Sequence, residues 1–128
     1  MTDTWLELSL VLAIHDAQLA EHGGAPGIRD PGLLDSALRR PQNLAHYGNP
    51  EPPELAAANA WGLIRNHPFV DGNKRVAFVC MRTFLIDNGF DIVATQEDRI
   101  HIMERAAAGE LTENHLATWI REHLVAVS

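Results

Sequence analysis

The segment KRVAFVCMRTFLIDNG, residues 74–89, constrains the fold of this 128-residue chain more than any other feature. It predicts a helix with apolar side chains on nearly every side up to Asp87, closed by Gly89. Such a helix needs neighbours all around it, because apolar surface is driven out of water. The chain has the length of one ordinary domain, so we expect residues 1–128 to fold as a single domain around this helix.

The remaining segments supply the neighbours, because they show helical periodicity that breaks at glycine and proline. Five more helices are predicted: one from Ser9 as N-cap to Gly23, one from Pro31 to Pro41, one over residues 54–66, and two that follow the caps Thr95 and Thr112. FDIVA, residues 90–94, is predicted to be a short extended piece, and the proline-rich residues 45–53 an exposed loop. The predicted fold class is all-α: a compact bundle of about six helices with a central buried helix that follows the HPFVDGNKR loop.

The charge balance limits the partners of the chain. Ten Lys and Arg residues against seventeen Asp and Glu residues give a formal net charge of −7, which disfavours long-range attraction to nucleic acid or to an anionic membrane. Any bound phosphate must therefore be held by local groups. No apolar run approaches the ~18 residues of a membrane span, and no secretion signal is evident, so we expect a cytoplasmic protein. The single cysteine, Cys80, lies in the apolar run VAFVCM and is predicted to be a buried small hydrophobe.

Residues 67–75, HPFVDGNKR, concentrate chemically active side chains in front of the central helix. If this helix begins near Asn73, its first amides lack partners and carry the positive end of the helix dipole, which favours a phosphate group. Gly72 lets the backbone approach a ligand closely, and Asn73 can donate its amide. Lys74 and Arg75 add a point charge and a planar, two-pronged donor.

Three further residues of this motif have predicted roles. Asp71 can hold a divalent ion, since magnesium usually binds through one or two carboxylates and substrate phosphate oxygens. His67 could accept a proton from a hydroxyl group, because histidine titrates near neutral pH. Phe69 is predicted to anchor the loop in the core. An alternative stays open: the sequence DGN is also good turn chemistry, so that Asp71 or Asn73 would merely cap the helix while Lys74 and Arg75 stay solvated.

The motif resembles the signature of the Fic and Doc superfamily, whose Fic pattern runs His, any, Phe, any, Asp or Glu, Gly, Asn, Gly, Arg, any, any, Arg. Six of these positions match, at His67, Phe69, Asp71, Gly72, Asn73 and Arg75. Lys74 replaces the second glycine and Phe78 the second arginine, a combination similar to the Doc (death-on-curing) branch, although Doc tends to have Ala at position 72. The stretches GIRDPGLLDSALRRPQN and ELAAANAWGLIRNHPF are also similar to Doc-type toxins, so the resemblance covers most of the chain.

The resemblance implies a toxin of a type II toxin–antitoxin pair that uses ATP and magnesium. Its implied reaction moves the γ-phosphate of ATP to a threonine of elongation factor Tu and so arrests translation. Carried over residue by residue, His67 would be the general base and Asp71 the magnesium ligand. The implied phosphate cradle, of which the last two members also take a catalytic part, consists of Gly72, Asn73, Lys74 and Arg75. Inhibition is expected from a separate Phd-like antitoxin, because the self-inhibitory motif of Fic enzymes is incomplete here: its nearest approach, at residues 118–123, fails at the last position.

Two departures from the Fic pattern bear on the reaction. The lysine at position 74 fills space and adds charge, and the phenylalanine at position 78 removes a guanidinium that Fic enzymes use to hold the terminal phosphate away from reaction. Both departures favour phosphate transfer over AMP transfer. Two alternatives stay open: a Fic-type adenylyltransferase that moves AMP to a protein hydroxyl, and an inactive bundle that only binds a partner.

Other conspicuous residues lie outside the motif. His15 and His22 share a helical face, but no carboxylate or cysteine lies at ligand spacing, so both are predicted to be solvated or capped and receive no role. Tyr47 and its proline-rich surroundings fit either a flap that aligns a target segment by backbone pairing or an ordinary surface loop. Arg29 and Asp30 are predicted to pair with each other or to cap the second helix.

Overall fold

The computed structural model describes residues 3–127, and this part of the chain forms six helices and one two-stranded sheet. The helices are α1 (Leu8–His22), α2 (Pro31–Tyr47), α3 (Pro52–Asn66), α4 (Asn73–Asp87), α5 (Gln96–Ala107) and α6 (Glu113–Glu122). Strands β1 (Phe90–Ile92) and β2 (Leu124–Ala126) pair in antiparallel fashion. The predicted all-α bundle of about six helices is therefore confirmed.

Two helices, α3 and α4, form the centre of the bundle. Helix α3 is rich in alanine and packs closely against α2. At the contact, a Cβ atom on Gly62 would lie only 3.1 Å from the Cα atom of Ala37. Helix α4 buries apolar side chains against α1, α3, α5 and β1, with Phe84 and Leu85 fully covered. The segment predicted to be a central buried helix has this position, and α3 shares the centre with it.

Cys80 is fully buried in the core face of α4. Burial raises the pKa of its thiol to about 12, because the charged thiolate would lose its hydration there. The thiol stays protonated at physiological pH and is a poor nucleophile. The prediction of a buried small hydrophobe is confirmed.

Helix α2 differs from the prediction, because it does not stop at Pro41. Its core-facing residues are spaced by three and four positions and are Leu34, Ala37, Leu38 and Pro41. The apolar stripe thus runs through the proline, and its burial outweighs the lost helical hydrogen bond. The helix continues to Tyr47, and α3 begins at Pro52, so the predicted loop over residues 45–53 shrinks to residues 48–51.

The helix ends follow the sequence signals in part. Thr95 and Thr112 accept hydrogen bonds from the Asp98 and His115 amides at 3.1 and 3.2 Å, as predicted for N-caps. The Ser9 prediction is wrong, because the N-cap position is occupied by Glu7, two residues earlier, and α1 begins at Leu8. Residues 90–92 of the extended FDIVA segment form β1, which pairs with β2, a C-terminal strand that was not predicted. Within residues 3–127, no helix has both the length and the hydropathy needed to cross a bilayer.

Candidate functional site

The connecting loop between α3 and α4, residues 67–72, is fixed by the segment that precedes α2. Arg29 donates from Nε to the His67 carbonyl and from Nη2 to the Asn66 carbonyl, both at 2.7 Å. The Pro68 carbonyl accepts from the Arg29 and Asp30 amides at 2.7 and 3.0 Å. The guanidinium therefore satisfies the last carbonyls of α3 and fixes the start of the loop.

Arg29 and Asp30 were predicted to pair or to cap α2, and the structure separates these two roles. Asp30 is the N-cap of α2, because its Oδ1 accepts from the Leu33 amide at 3.0 Å. Arg29 makes no ion pair with it and binds the α3–α4 connection instead. A role in holding the motif was not evident for Arg29 from the sequence, because its partners are 37 and 38 residues away along the chain.

The interior of the connecting loop is closed by Asn73. Its Oδ1 accepts from the Phe69 amide and its Nδ2 donates to the Phe69 carbonyl, both at 3.0 Å. Asn73 is only 5% exposed and Phe69 is fully buried. The side-chain amide of Asn73 thus uses its oxygen and one N–H within the protein, and the main-chain N–H of this residue, which has no intrahelical acceptor, remains to contact a ligand.

His15 of α1 is a supporting residue that the sequence interpretation missed. It was predicted to be solvated or capped, yet it is buried, and its ring stacks on Phe69 with centroids 3.9 Å apart. Its Nε2 donates to the Asp71 carbonyl at 2.9 Å. The signal that could have found it is its spacing of four residues from the fully buried Val11, which places both side chains on the core face of α1.

The first amides of α4 are left without a side-chain cap. Gly72 is the N-cap residue with φ 82° and ψ 11°, a left-handed conformation that favours glycine. The Asp71 carboxylate accepts from the Gly72 and Ala25 amides at 2.9 and 3.3 Å, which lie ahead of the helix. The amides of residues 73–75 therefore have no intrahelical acceptor and carry the positive end of the helix dipole. Neither Asp71 nor Asn73 caps α4 with its side chain, so the alternative in which one of them merely caps this helix is wrong.

The motif lines a cavity of about 930 Å³ between α1, the connecting loop, α4 and α5. The motif residues on its wall are His67, Asp71, Gly72, Asn73, Lys74 and Arg75. Apolar side chains of α4 and α5, such as Phe78 and Met103, continue the wall. This volume is in the range of cavities that hold small organic ligands and cofactors.

The reactive side chains of the motif are accessible from this cavity. His67, Asp71, Lys74 and Arg75 are all exposed. Neither Lys74 nor Arg75 forms an ion pair with any of the residues that the structure describes. His67 is the C-cap of α3 with φ 48° and ψ 55°, a conformation that is uncommon outside glycine. Unpaired cations and uncapped amides at one helix terminus are an arrangement that favours an anion.

The residues present fit a magnesium ion that is shared with a substrate. Over residues 3–127, no group of three or more His, Cys, Asp or Glu side chains is placed to hold a metal ion by itself. Asp71 is a single hard carboxylate at the cavity wall, and its oxygens retain further lone pairs beyond the two amide hydrogen bonds. Magnesium binds in this way when phosphate oxygens and water complete its coordination.

His22 and Tyr47 line two different cavities. His22, for which no role was predicted, lines the cavity of about 930 Å³ that the motif also lines. Tyr47 is 87% exposed at the end of α2 and lines a separate cavity of about 460 Å³ together with Trp61 and Arg65. The structure therefore does not bring Tyr47 to the motif cavity.

Comparison with known proteins relates the sequence of this chain to a described family. The model of the Fic/DOC family matches residues 5–85, which include α1 to α3, the connecting loop and most of α4. Toxin Doc of Mycolicibacterium smegmatis is 48% identical over 75 residues, which cover 56% of this chain and 57% of that protein. Protein kinase doc of Escherichia phage P1 is 31% identical over 112 residues, covering 87% of this chain and 88% of the phage protein.

Enzymes with a second named activity are also similar. Protein adenylyltransferase Fic of Drosophila ananassae is 30% identical over 90 residues, which cover 67% of this chain and 18% of the fly protein. The chain thus matches one relative almost end to end, about half of another, and a small part of a much larger one.

Proposed function

Because the chain belongs to the Fic/DOC family and is a Doc-type member of it, we propose that it is the toxin of a type II toxin–antitoxin pair. Its proposed reaction transfers the γ-phosphate of ATP to a threonine hydroxyl of elongation factor Tu in the cytoplasm and so blocks translation. One observation carries the proposal: the histidine, the carboxylate, the two cations and the uncapped amides of the motif line one cavity. We further propose that residues 1–128 act as a single Fic/Doc-type domain.

The phosphates of ATP are proposed to bind at the start of α4. The amides of residues 73–75 donate to the phosphate oxygens, and Gly72 leaves room for the phosphates to approach the backbone. Lys74 supplies a point charge and Arg75 a planar fork of donors. Phosphoryl transfer needs mainly positioning and neutralisation of charge, and these groups supply both.

His67 is proposed to act as the general base. Its imidazole takes the proton of the threonine hydroxyl as the hydroxyl oxygen forms a bond to the γ-phosphorus. The bond between that phosphorus and the bridging oxygen breaks, and ADP leaves with the electron pair. The position of the ring is supported by Arg29, which binds the carbonyls of residues 66 and 67.

Asp71 is proposed to hold the magnesium ion. The ion, when bound, neutralises charge on the phosphates of the nucleotide. The Asp71 carboxylate is aligned by the Gly72 and Ala25 amides, and the main-chain carbonyl of Asp71 accepts a hydrogen bond from His15. Its orientation is therefore set before a ligand arrives.

The transfer of AMP remains a second candidate, because adenylyltransferases are among the similar proteins. Purified protein incubated with elongation factor Tu, ATP and magnesium separates the two reactions. We expect the intact mass of the elongation factor to increase by one phosphoryl group. An increase by one AMP would replace the phosphotransferase proposal with the adenylyltransferase.

An inactive, partner-binding bundle is tested by ligand binding. A ligand that binds only the native state raises the melting temperature. We expect ATP with magnesium to raise it, and no change at saturating concentration would favour the inactive bundle.

We also propose that a Phd-like antitoxin neutralises the toxin, so that expression of the chain alone stops growth and co-expression with the antitoxin restores it. Unimpaired growth of cells that express the chain alone would count against the toxin proposal.

A further inference from the structure

Arg99 of α5 lines the same cavity as the motif, although it lies 24 residues beyond Arg75 in the sequence. Its side chain is half-buried at the N-terminal part of α5. No motif or spacing marked this residue, and the roles proposed above do not use it.

The Arg99 side chain is held in place by two neighbours. Its Nε donates to the Ala94 carbonyl at 3.1 Å, and its Cζ lies 5.5 Å from the centroid of the Phe78 ring. An arginine side chain loses considerable rotamer freedom when it binds a ligand, and here part of that freedom is already lost. The guanidinium has five N–H donors, and Nε uses one of them.

The charge of Arg99 is not neutralised by an ion pair in the part of the chain that the structure describes. The cavity wall carries three cations, Lys74, Arg75 and Arg99, and two carboxylates, Asp71 and Glu104. The chain as a whole has a formal net charge of −7, so the cavity is locally cationic on an acidic protein. A planar guanidinium with free donors is well matched to phosphate oxygens.

We propose that Arg99 is a nucleotide-binding residue that contacts the phosphate chain of the nucleotide from the α5 side of the cavity. This inference rests on the proposed function, because it requires that the cavity binds ATP. The Phe78 ring and the Ala94 carbonyl act as positioning groups for the guanidinium. The phosphates would then be held by α5 as well as by α4.

The test compares ATP binding in matched variants by isothermal titration calorimetry with magnesium present. Arg99→Met keeps a long side chain over Phe78 and removes the charge, and Arg99→Lys keeps the charge. Arg105→Met is the control, because it changes the net charge equally on the same helix and does not line the cavity. We expect Arg99→Met to weaken ATP binding about tenfold, with only a small decrease in melting temperature from the lost hydrogen bond to the Ala94 carbonyl. Arg99→Lys should recover part of the affinity, and Arg105→Met should bind like wild type.

The outcomes separate this inference from the proposed function. Equal ATP affinity in the wild type and Arg99→Met overturns the role of Arg99 alone. Equal losses of affinity in the Met and Lys variants, with a lower melting temperature in both, would assign Arg99 to the stability of the α5 start instead. Absence of ATP binding by the wild type overturns the proposed function and the Arg99 role together.

Discussion

The α3–α4 connection, taken here with the first residues of α4 as residues 67–75, has two sides that differ in burial and in what their side chains do. The inner side is buried and consists of Pro68, Phe69 and Asn73. The outer side is exposed and consists of His67, Asp71, Lys74 and Arg75. Inner side chains bond to the backbone or pack in the core, whereas outer side chains face the cavity.

This difference shows how a short loop can be both rigid and reactive. The backbone of the connection is fixed from within by Asn73, from α1 by His15 and from the α2 side by Arg29. The main chain of the reactive residues is therefore held in place before a ligand binds, and only their side chains remain to be ordered. Changes on the outer side should therefore affect activity and spare stability, whereas changes on the inner side should affect both.

The largest effect on activity is expected from His67→Ala on the outer side. Loss of the proposed general base should lower the rate of the proposed phosphate transfer by about 10²–10⁴-fold and leave the melting temperature unchanged, because the ring is exposed. The rate is measured from phosphorylated elongation factor Tu, with His101→Ala as a control for an exposed histidine outside the cavity. A His67→Ala variant with wild-type rates would remove the histidine from the mechanism.

Asn73→Ala breaks the inner side and should give the largest loss of stability. Both backbone groups of Phe69 lose their partner in a buried place, which should cost about 2–4 kcal/mol in the free energy of unfolding. Urea denaturation measures this loss, and the exposed Asn114→Ala serves as its control. A cost as small as that of the control would mean that the loop does not depend on this side chain.

His15→Phe tests the support that comes from α1. The stacking on Phe69 is kept and the hydrogen bond to the Asp71 carbonyl is lost, so the cost should be about 1 kcal/mol. Weaker fixing of Asp71 should also reduce the effect of magnesium on ATP affinity. If the magnesium dependence of ATP binding in this variant matches wild type, His15 supports only the core.

Gly72→Ala tests the left-handed N-cap. The added Cβ would find ordinary contact distances of 3.8 Å to His15 and to Leu19, so the expected cost of about 1–2 kcal/mol comes from the positive φ alone. Denaturation of this variant is compared with that of Gly89→Ala, where φ is 96° and nothing lies near the new atom. A much larger cost at position 72 than at position 89 would indicate a clash that these distances do not predict.

The smallest effect is expected far from the connection, at the Arg82–Asp91 pair. The hydrogen bond from Arg82 lowers the pKa of Asp91, so the pair stabilises the fold above the ordinary aspartate pKa and this contribution is lost as pH falls through the lowered value. Asp91→Asn should cost about 0.2–1 kcal/mol at neutral pH and less in strong acid. Denaturation at several pH values checks this, and a cost that stays the same in strong acid would show that it does not come from the ion pair.

Much of the fold follows from local signals in the sequence. The apolar run of α4 and the threonine caps of α5 and α6 correctly predicted helices, because burial and capping act over a few residues. Pro41 misled the prediction of α2, since the packing of its apolar stripe on the core outweighs a local penalty. The pairing of β1 with β2 joins segments more than thirty residues apart, which no local pattern specifies.

The candidate site was predictable where its residues are consecutive. His67 and residues 71–75 line one cavity because they flank one helix terminus. His15, Arg29 and Arg99 act on this region from other elements, so their positions depend on tertiary packing. The side chain of Asn73 was predicted to donate a hydrogen bond to a ligand. In the structure it is instead hydrogen-bonded to the backbone of Phe69.

The central claim is that the start of α4 binds the phosphates of ATP. Titration of isotopically labelled protein with ATP and magnesium, followed by the backbone amide signals in NMR spectra, tests it most directly. We predict saturable shifts of the amides of residues 73–75 that are larger than those near Trp61 at the separate cavity. Binding of ATP that shifts signals around Trp61 and leaves residues 73–75 unchanged would contradict the claim.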